Sequence, residues 1–346
     1  MNNRDNIFRR QHGAALLVAL MIIALASFIA LQMIQRLELD LARSSAVSRN
    51  FSAAEYARGL EFMARRQLRD DETEQPRVDT WQDRWAAPLP ALPVPGGAVS
   101  GRMIDLSGRF NLNSLLVNQG QIDETQVDML RRLLRILNLE PALAERIADW
   151  LDSDSLPRPN GAEAAAYASL QPPYRPANRS LADISELRLI SGIDDAVFRR
   201  LSPHVSTLPV AAGNAVNPGQ SANPIAGNTP RNLTRINVNT ATIEVLMALD
   251  PAISRDRAQR LHNNGSANYQ TVDAFLNHPA LTGLQLPQLR PLISVRSSHF
   301  LATAVVVLDQ VPRRYDILLE RSGNSYHVRQ RRYGAPYGSV DSGVEN

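Results

Sequence analysis

The feature that most constrains this chain is an apolar run from Ala14 to Leu31, broken only by Ser27 and preceded directly by Arg9-Arg10-Gln11-His12-Gly13. About 18 residues at about 1.5 Å each make a helix of roughly 27 Å, close to the hydrocarbon thickness of a bilayer. Arg4, Arg9 and Arg10 outweigh the single acid Asp5 ahead of the run, which predicts the first residues on the cytoplasmic side and the body outside. The rival reading is a cleaved secretory signal, for which Ala24-Leu25-Ala26 offers an A-x-A-like site. The run continues past that site and exceeds an ordinary signal core, so a retained anchor fits better.

Beyond the run no proline occurs before Pro76, and Gly59 is the only glycine between Gly13 and Gly96, so nothing forces a helix to stop before about Arg69. Such a helix would hold about 56 residues and extend roughly 84 Å. Its later apolar positions, among them Ile34, Leu37, Leu41, Val47, Phe51 and Leu60, drift around the axis instead of keeping one face. A helix that is part membrane span and part cover for a core reads as an assembly element.

With 346 residues there is room for about two domains beyond this helix. Cysteine is absent, so no disulfide staples the fold. All 37 basic residues are arginine, and the net charge is +3. Removing the first 13 residues, with three Arg and one Asp, leaves about +1, which is no footprint for nucleic acid or acidic lipid.

The periodicity changes twice along the body. Five prolines with Trp81 and Trp85 between Pro76 and Pro95 predict a turn-rich connection, followed by a weak strand over Val99–Leu106. From Asn111 to about Pro291 the spacing is helical, as in Val127, Leu130, Leu133, Leu134 and Leu137. Three runs then read as an antiparallel meander: Phe300–Leu308, Arg314–Glu320 and Ser325–Arg332, divided by Gln310-Val311-Pro312 and Ser322-Gly323-Asn324. The expected fold class is α+β: a long N-terminal helix packed on a small antiparallel sheet, with a large inserted all-α domain. Leu208–Arg235, with four prolines among Ala, Asn, Gly and Ser, is expected to be a mobile loop within that insertion.

Three motifs invite a functional reading. Gly108–Leu115 (G-R-F-N-L-N-S-L) echoes Thr234–Ala241 (T-R-I-N-V-N-T-A), where Asn113 or Ser114, and Asn239 or Thr240, can cap a following helix. Glu186–Ile193 has the apolar-Gly-apolar form of a helix-hairpin-helix, whose amides grip DNA phosphates in other proteins, but Asp194 and Asp195 stand where phosphates would approach. Asp149-Trp150-Leu151-Asp152-Ser153-Asp154, followed by Gly161-Ala162-Glu163, crowds acids into a loop after a helix, a donor set for a hard cation such as calcium. The spacing is not that of an EF-hand. A solvated helix end is the plainer alternative for these acids. Enzyme signatures are missing: there is no G-x-S-x-G, P-loop or H-E-x-x-H, and the six histidines have no metal or catalytic spacing.

The basic leader ending in Gly13, the apolar helix, G-R-F-N-L-N-S-L, the D-W-L-D-S-D to G-A-E loop with Tyr167 and Tyr174, I-N-V-N-T-A and the terminal strands together resemble the K subunit, a minor pseudopilin of the type II secretion system. The resemblance implies cleavage by a prepilin peptidase between Gly13 and Ala14 and methylation of Ala14. At mature position five, where relatives carry Glu, stands Val18, which suits a subunit with nothing above it, at the filament tip. It further implies calcium (Ca2+) binding, with Asp152, Asp154 and Glu163 as ligands, although Ala164–Ala166 stand where other members tend to have acids. The implied partners are other minor pseudopilins, the prepilin peptidase and the bacterial inner membrane, with no nucleic acid and no enzymatic activity, and the body periplasmic. The implied division is leader 1–13, membrane and filament-core helix 14–34, pilin-like helix, connection and first strand 35–107, inserted helical domain 108–297 with its loop at 208–235, and strands and tail 298–346. Rival functions are a minor pilin of a type IV pilus and a membrane-tethered DNA-binding protein of DNA uptake.

Overall fold

The computed structural model describes residues 5–74, 78–117, 120–209, 234–323 and 325–335. The chain forms two compact units, Met1–Tyr56 and Ala57–Asn346. Helix α1 (Asp5–Glu74) supplies the first unit, and the backbone at Gly13 and Ala14 lies within it, though their side chains fall outside the described residues. The side chains from Leu16 to Ile34 are exposed all round, Val18 at 52 % and Phe28 at 60 %. Among the described residues this is the one helix long and apolar enough to cross a membrane, with a window of mean hydropathy 2.6, as a single-pass anchor requires.

In the second unit, β1 (Leu89–Val94) and β2 (Gly97–Asp105) begin a sheet that is left for a helical block and later completed. The block comprises β3 (Phe110–Asn111), α2 (Glu124–Ile136), α3 (Leu143–Leu151), α4 (Ala164–Ala168), α5 (Asp195–Leu201) and β4 (Val205–Ser206). It continues with β5 (Ile236–Asn237), α6 (Ile243–Leu249), α7 (Arg255–His262), α8 (Val272–Leu276) and β6 (Ile293–Ser294). The chain then returns through β7 (His299–Leu308), β8 (Val311–Ser322) and β9 (Ser325–Ala335), giving an antiparallel sheet in the order β1-β2-β7-β8-β9.

Strand alternation decides what this sheet buries. Met103, Phe300, Ala302, Ile317 and Leu319 form one buried cluster with Ala64 and Leu68 from the end of α1, Trp85 and Tyr326. Trp85 meets Phe300 edge to face with centroids 5.1 Å apart, a geometry that adds to area burial.

Two expectations about the strands need correction. The segment before Pro95 is not all connection, because Leu89–Val94 pairs with β2 as an edge strand. Pro90 and Pro93 are tolerated there because an edge strand need not donate along its open side. Val311 and Pro312 likewise belong to β8, and the turn is Asp309-Gln310, both with positive φ (49° and 65°), a tight two-residue hairpin.

The helical block has its own core, which includes Leu130, Leu133, Ile147, Trp150, Phe198, Leu246 and Phe275. Its two echoing segments do the same job, by a route that differs from the expected caps. The first Asn of each, Asn111 and Asn237, accepts from the backbone N–H two residues on, at 3.2 and 3.0 Å. The second Asn reaches across the block: Asn113 Oδ1 accepts from Leu181 N at 2.8 Å, and Asn239 Oδ1 from Tyr269 N at 2.7 Å. These asparagines are buried, so each amide must find partners inside the fold. Each segment also starts a two-residue parallel ladder, β3 with β4 and β5 with β6. The cap of α6 is Thr242, whose hydroxyl accepts from Val245 N at 3.3 Å.

Residues 210–233 of the expected mobile loop lie outside the described residues. Its flanks are pinned together, since Asn111 accepts from Leu208 N at 2.9 Å and donates to Thr234 Oγ1 at 2.9 Å. At the hairpin considered for DNA, Gly192 has φ +86° and the Arg146 guanidinium occupies the space beside its Cα. The Asp194 carboxylate accepts from Val197 N at 2.8 Å, and Asp250 accepts from Ala252 N at 2.8 Å in the degenerate copy. In each copy a carboxylate thus holds a backbone amide two or three residues further on.

Candidate metal centre

Helix α3 carries Glu145, Asp149 and Trp150 in its last two turns and stops at Asp152, whose φ −68° and ψ 169° turn the chain out of the helix. Asp149 and Asp152 are three apart, so their carboxylates share one side of the helix end. The loop then crosses Pro157 and Pro159 and returns to Glu163, the residue before α4. One oxygen each from Asp149, Asp152 and Glu163 lies within 4.8 Å of the other two, and all three residues are buried.

The surroundings fix this loop without neutralising it. Asn178 donates its Nδ2 to Asp154 O at 3.0 Å and its N–H to Trp150 O at 3.0 Å, while Ser153 N donates to Gly120 O at 3.2 Å. Trp150, Tyr167 and Tyr174 form an aromatic floor with centroids 5.2 to 6.3 Å apart. Tyr174 is anchored through its hydroxyl on Leu189 O at 2.7 Å. The nearest arginine, Arg158, is engaged elsewhere, by Glu145 at 2.9 Å and by Glu124. Only its backbone N–H faces Asp149, at 3.2 Å.

Three oxygens are left over. Asp152 Oδ1 and both Glu163 oxygens are buried with no side-chain partner, and the Ala164 backbone N–H is the one donor turned toward Glu163. Burial, then the charges of Asp154, Asp149 and Glu163, push the Asp152 carboxyl up to about 7. Burial first and then Asp149 raise Glu163, and burial raises Asp149. Buried carboxylates that face one another without a cation pay desolvation and repulsion together, and an oxygen-seeking divalent ion relieves both. The donor set, all oxygen and partly on a loop, is of the kind calcium takes.

Of the expected ligands, the structure brings Asp152 and Glu163 together with Asp149 as the third carboxylate of the buried group, and leaves Asp154 beside them. Asp154 is exposed at the margin, and its Oδ1 accepts from Leu156 N at 2.8 Å. The three-residue spacing of Asp149 and Asp152 at a helix end was the signal that could have found Asp149. Tyr167 and Tyr174 lie under the site as packing.

Family models described as "Type II secretion system (T2SS), protein K" match residues 108–210 and 236–296, the two halves of the helical block. The type II secretion system protein K of Klebsiella pneumoniae is 32 % identical over 339 residues, covering 94 % of this chain and 97 % of that protein. That of Pectobacterium carotovorum subsp. carotovorum is 32 % identical with the same coverage, 94 % and 97 %. The Pseudomonas aeruginosa protein K is 34 % identical over 281 residues, 78 % of this chain and 77 % of that one. Among solved structures, a chain of the GspK-GspI-GspJ complex from the enterotoxigenic Escherichia coli type 2 secretion system superposes with a TM-score of 0.69 at 23 % identity, covering 85 % of this chain and all of that one. That likeness carries the fold, an α+β pilin-like architecture with an inserted helical block. Whole-length identity to its relatives, added to the anchor helix and sheet, shows that the chain belongs to the type II secretion system protein K family.

Proposed function

We propose that this protein is the minor pseudopilin at the tip of a type II secretion pseudopilus, starting filament assembly and helping export folded proteins across the outer membrane. The observation that carries the reading is the coupling of an exposed apolar helix, Leu16–Ile34, to a pilin-like sheet within a chain of the protein K family. A helix apolar all round has no stable place in water, so it suits a bilayer first and the helices of sister subunits afterwards. Other minor pseudopilins are the proposed partners, in keeping with a structural relative found in a GspK-GspI-GspJ complex. The anchor is proposed to cross the inner membrane once, with the leader cytoplasmic and the body periplasmic, as its flanking arginines favour.

Processing after Gly13 by a prepilin peptidase makes Ala14 the methylated N-terminus and Val18 the fifth mature residue. N-terminal sequencing of the mature protein is expected to start at Ala14. A start at Ser27 would mean an ordinary signal peptide and would overturn the reading.

The Asp149, Asp152 and Glu163 cluster is proposed to hold calcium, which braces the loop between α3 and α4. A Cβ on Gly161 would run into the Asp149 carboxylate. Gly161→Ala is therefore expected to weaken calcium binding by about tenfold or more, as changes behind a metal ligand do. Calorimetric titration would read the change, and unaltered affinity would remove Asp149 from the ligand set.

A further inference from the structure

A second group of buried carboxylates lies where α1 ends and the connection to β1 begins. Asp71, Asp79 and Asp83 each offer one oxygen within 4.8 Å of the other two, and all three are buried. Asp79 is held by Arg321, at 2.6 Å to each oxygen, and by Ser297 N at 2.7 Å. Asp83 accepts from Thr80 N at 2.7 Å, Thr80 Oγ1 at 2.8 Å and Trp85 Nε1 at 3.1 Å. Asp71 is different: only 3 % of the residue is exposed, and its Oδ2 is buried with no hydrogen-bond partner.

The charges around this point do not balance. Asp71, Glu72, Asp79 and Asp83 are all buried acids. Arg321 pairs with Asp79 and Glu72, and Arg296 pairs with Glu72. Among these groups four negative charges stand against two positive, a formal −2, and the buried Asp105 beyond Asp79 adds to the excess. A proton on Asp71 cancels one charge; a divalent cation cancels two and gives the stranded oxygen a partner. Burial, followed by the charges of Asp83 and Asp79, raises the Asp71 carboxyl to about 7.

We infer that Asp71, Asp79 and Asp83 form a second site for a hard divalent cation of the calcium type, separate from the one at the end of α3. A cation held there ties the last turn of α1 to the connection that enters the sheet. It thereby braces the place where a helix pulled along a filament axis passes its load to the pilin-like sheet.

Terbium, a luminescent stand-in for calcium, tests this in the full-length protein held in detergent. Trp85 donates directly to Asp83, so terbium at the second site is excited through tryptophan. In an Asp152→Asn background, tryptophan-sensitised emission is expected to remain, to be chased by excess calcium, and to disappear on adding Asp71→Asn. Equilibrium dialysis is expected to count one calcium fewer per chain in the double variant than in Asp152→Asn alone. Asp71→Asn removes a buried charge without changing shape, so in chelator it should melt no lower than its parent. Emission and calcium count unchanged by Asp71→Asn would overturn the site and leave a proton on Asp71. Because only the Asp71 step is scored, the outcome is independent of whether Asp152 binds calcium.

Discussion

Chelating divalent cations from the full-length protein in detergent is expected to lower its thermal midpoint by roughly 5–10 °C, with the share owed to the α3 centre abolished by Asp152→Asn. An ion at about a hundred times its dissociation constant stabilises the folded state by about 2.7 kcal/mol. For a folded unit of this size each kcal/mol moves the midpoint by about 2–4 °C. The orphaned oxygens of Asp152 and Glu163 are what the ion would satisfy. An equal chelator shift in wild type and Asp152→Asn would end the calcium reading of that cluster.

The same centre sets a pH dependence with a definite sign. Asp152 ionises near 7 when folded against 3.8 as its ordinary value, so between those limits the ion-free folded state holds a proton that the unfolded chain has lost. Stability without the ion therefore falls as pH rises from about 4 to about 7. Calcium bound there would compete with that proton, so the chelator-induced shift is expected to be larger at pH 7.5 than at pH 5.5. A shift that shrinks as pH rises would contradict the assignment.

Replacing Arg321 by alanine is expected to destabilise the protein by about 3–5 kcal/mol, the cost of breaking one side of a buried ion pair. Arg321 is 7 % exposed at its side chain, grips Asp79 with both terminal nitrogens and reaches Glu72 at 3.2 Å. It also donates to Tyr326 Oη at 2.8 Å and Ser297 O at 2.7 Å, and its guanidinium faces the rings of Phe300 and Tyr326. One side chain thus joins the end of α1, the connection after it, the approach to β7 and the β8–β9 hairpin. Arg331 offers the contrast, because its pair with Glu61 at 2.7 Å leaves the arginine 43 % exposed. Arg331→Ala is expected to cost less, about 1–3 kcal/mol, because water screens the half-exposed arginine although its partner Glu61 is buried. Urea unfolding would measure both, and similar small losses would show that Arg321 is not the clasp its contacts describe.

How far each element was legible follows from the range of the forces that make it. The anchor helix, the amphipathic helices of the block and the last three strands are written in local periodicity, which a reader of the chain can count. Leu89–Val94 was missed because its prolines argue against a strand, and only β2 alongside supplies the hydrogen bonds that make it one. The asparagine motifs were recognised as structural, but their partners Leu181 and Tyr269 lie 68 and 30 residues away, beyond any local rule. The acidic loop was legible as a donor set through its composition. Which three carboxylates converge depended on where α3 stops and how the proline loop returns.

The sequence by itself determined the anchor, its orientation signal, the α+β class and the resemblance that names the family, because runs of hydrophobicity, charge bias and short motifs are properties of neighbouring residues. Only the tertiary structure decided that Asp149 completes the buried trio, that Arg321 joins four segments, and that Asp71 is stranded beside Asp79 and Asp83. Those outcomes turn on burial, which removes water as the default partner and makes each carboxylate depend on what the fold has carried to within a few ångströms of it.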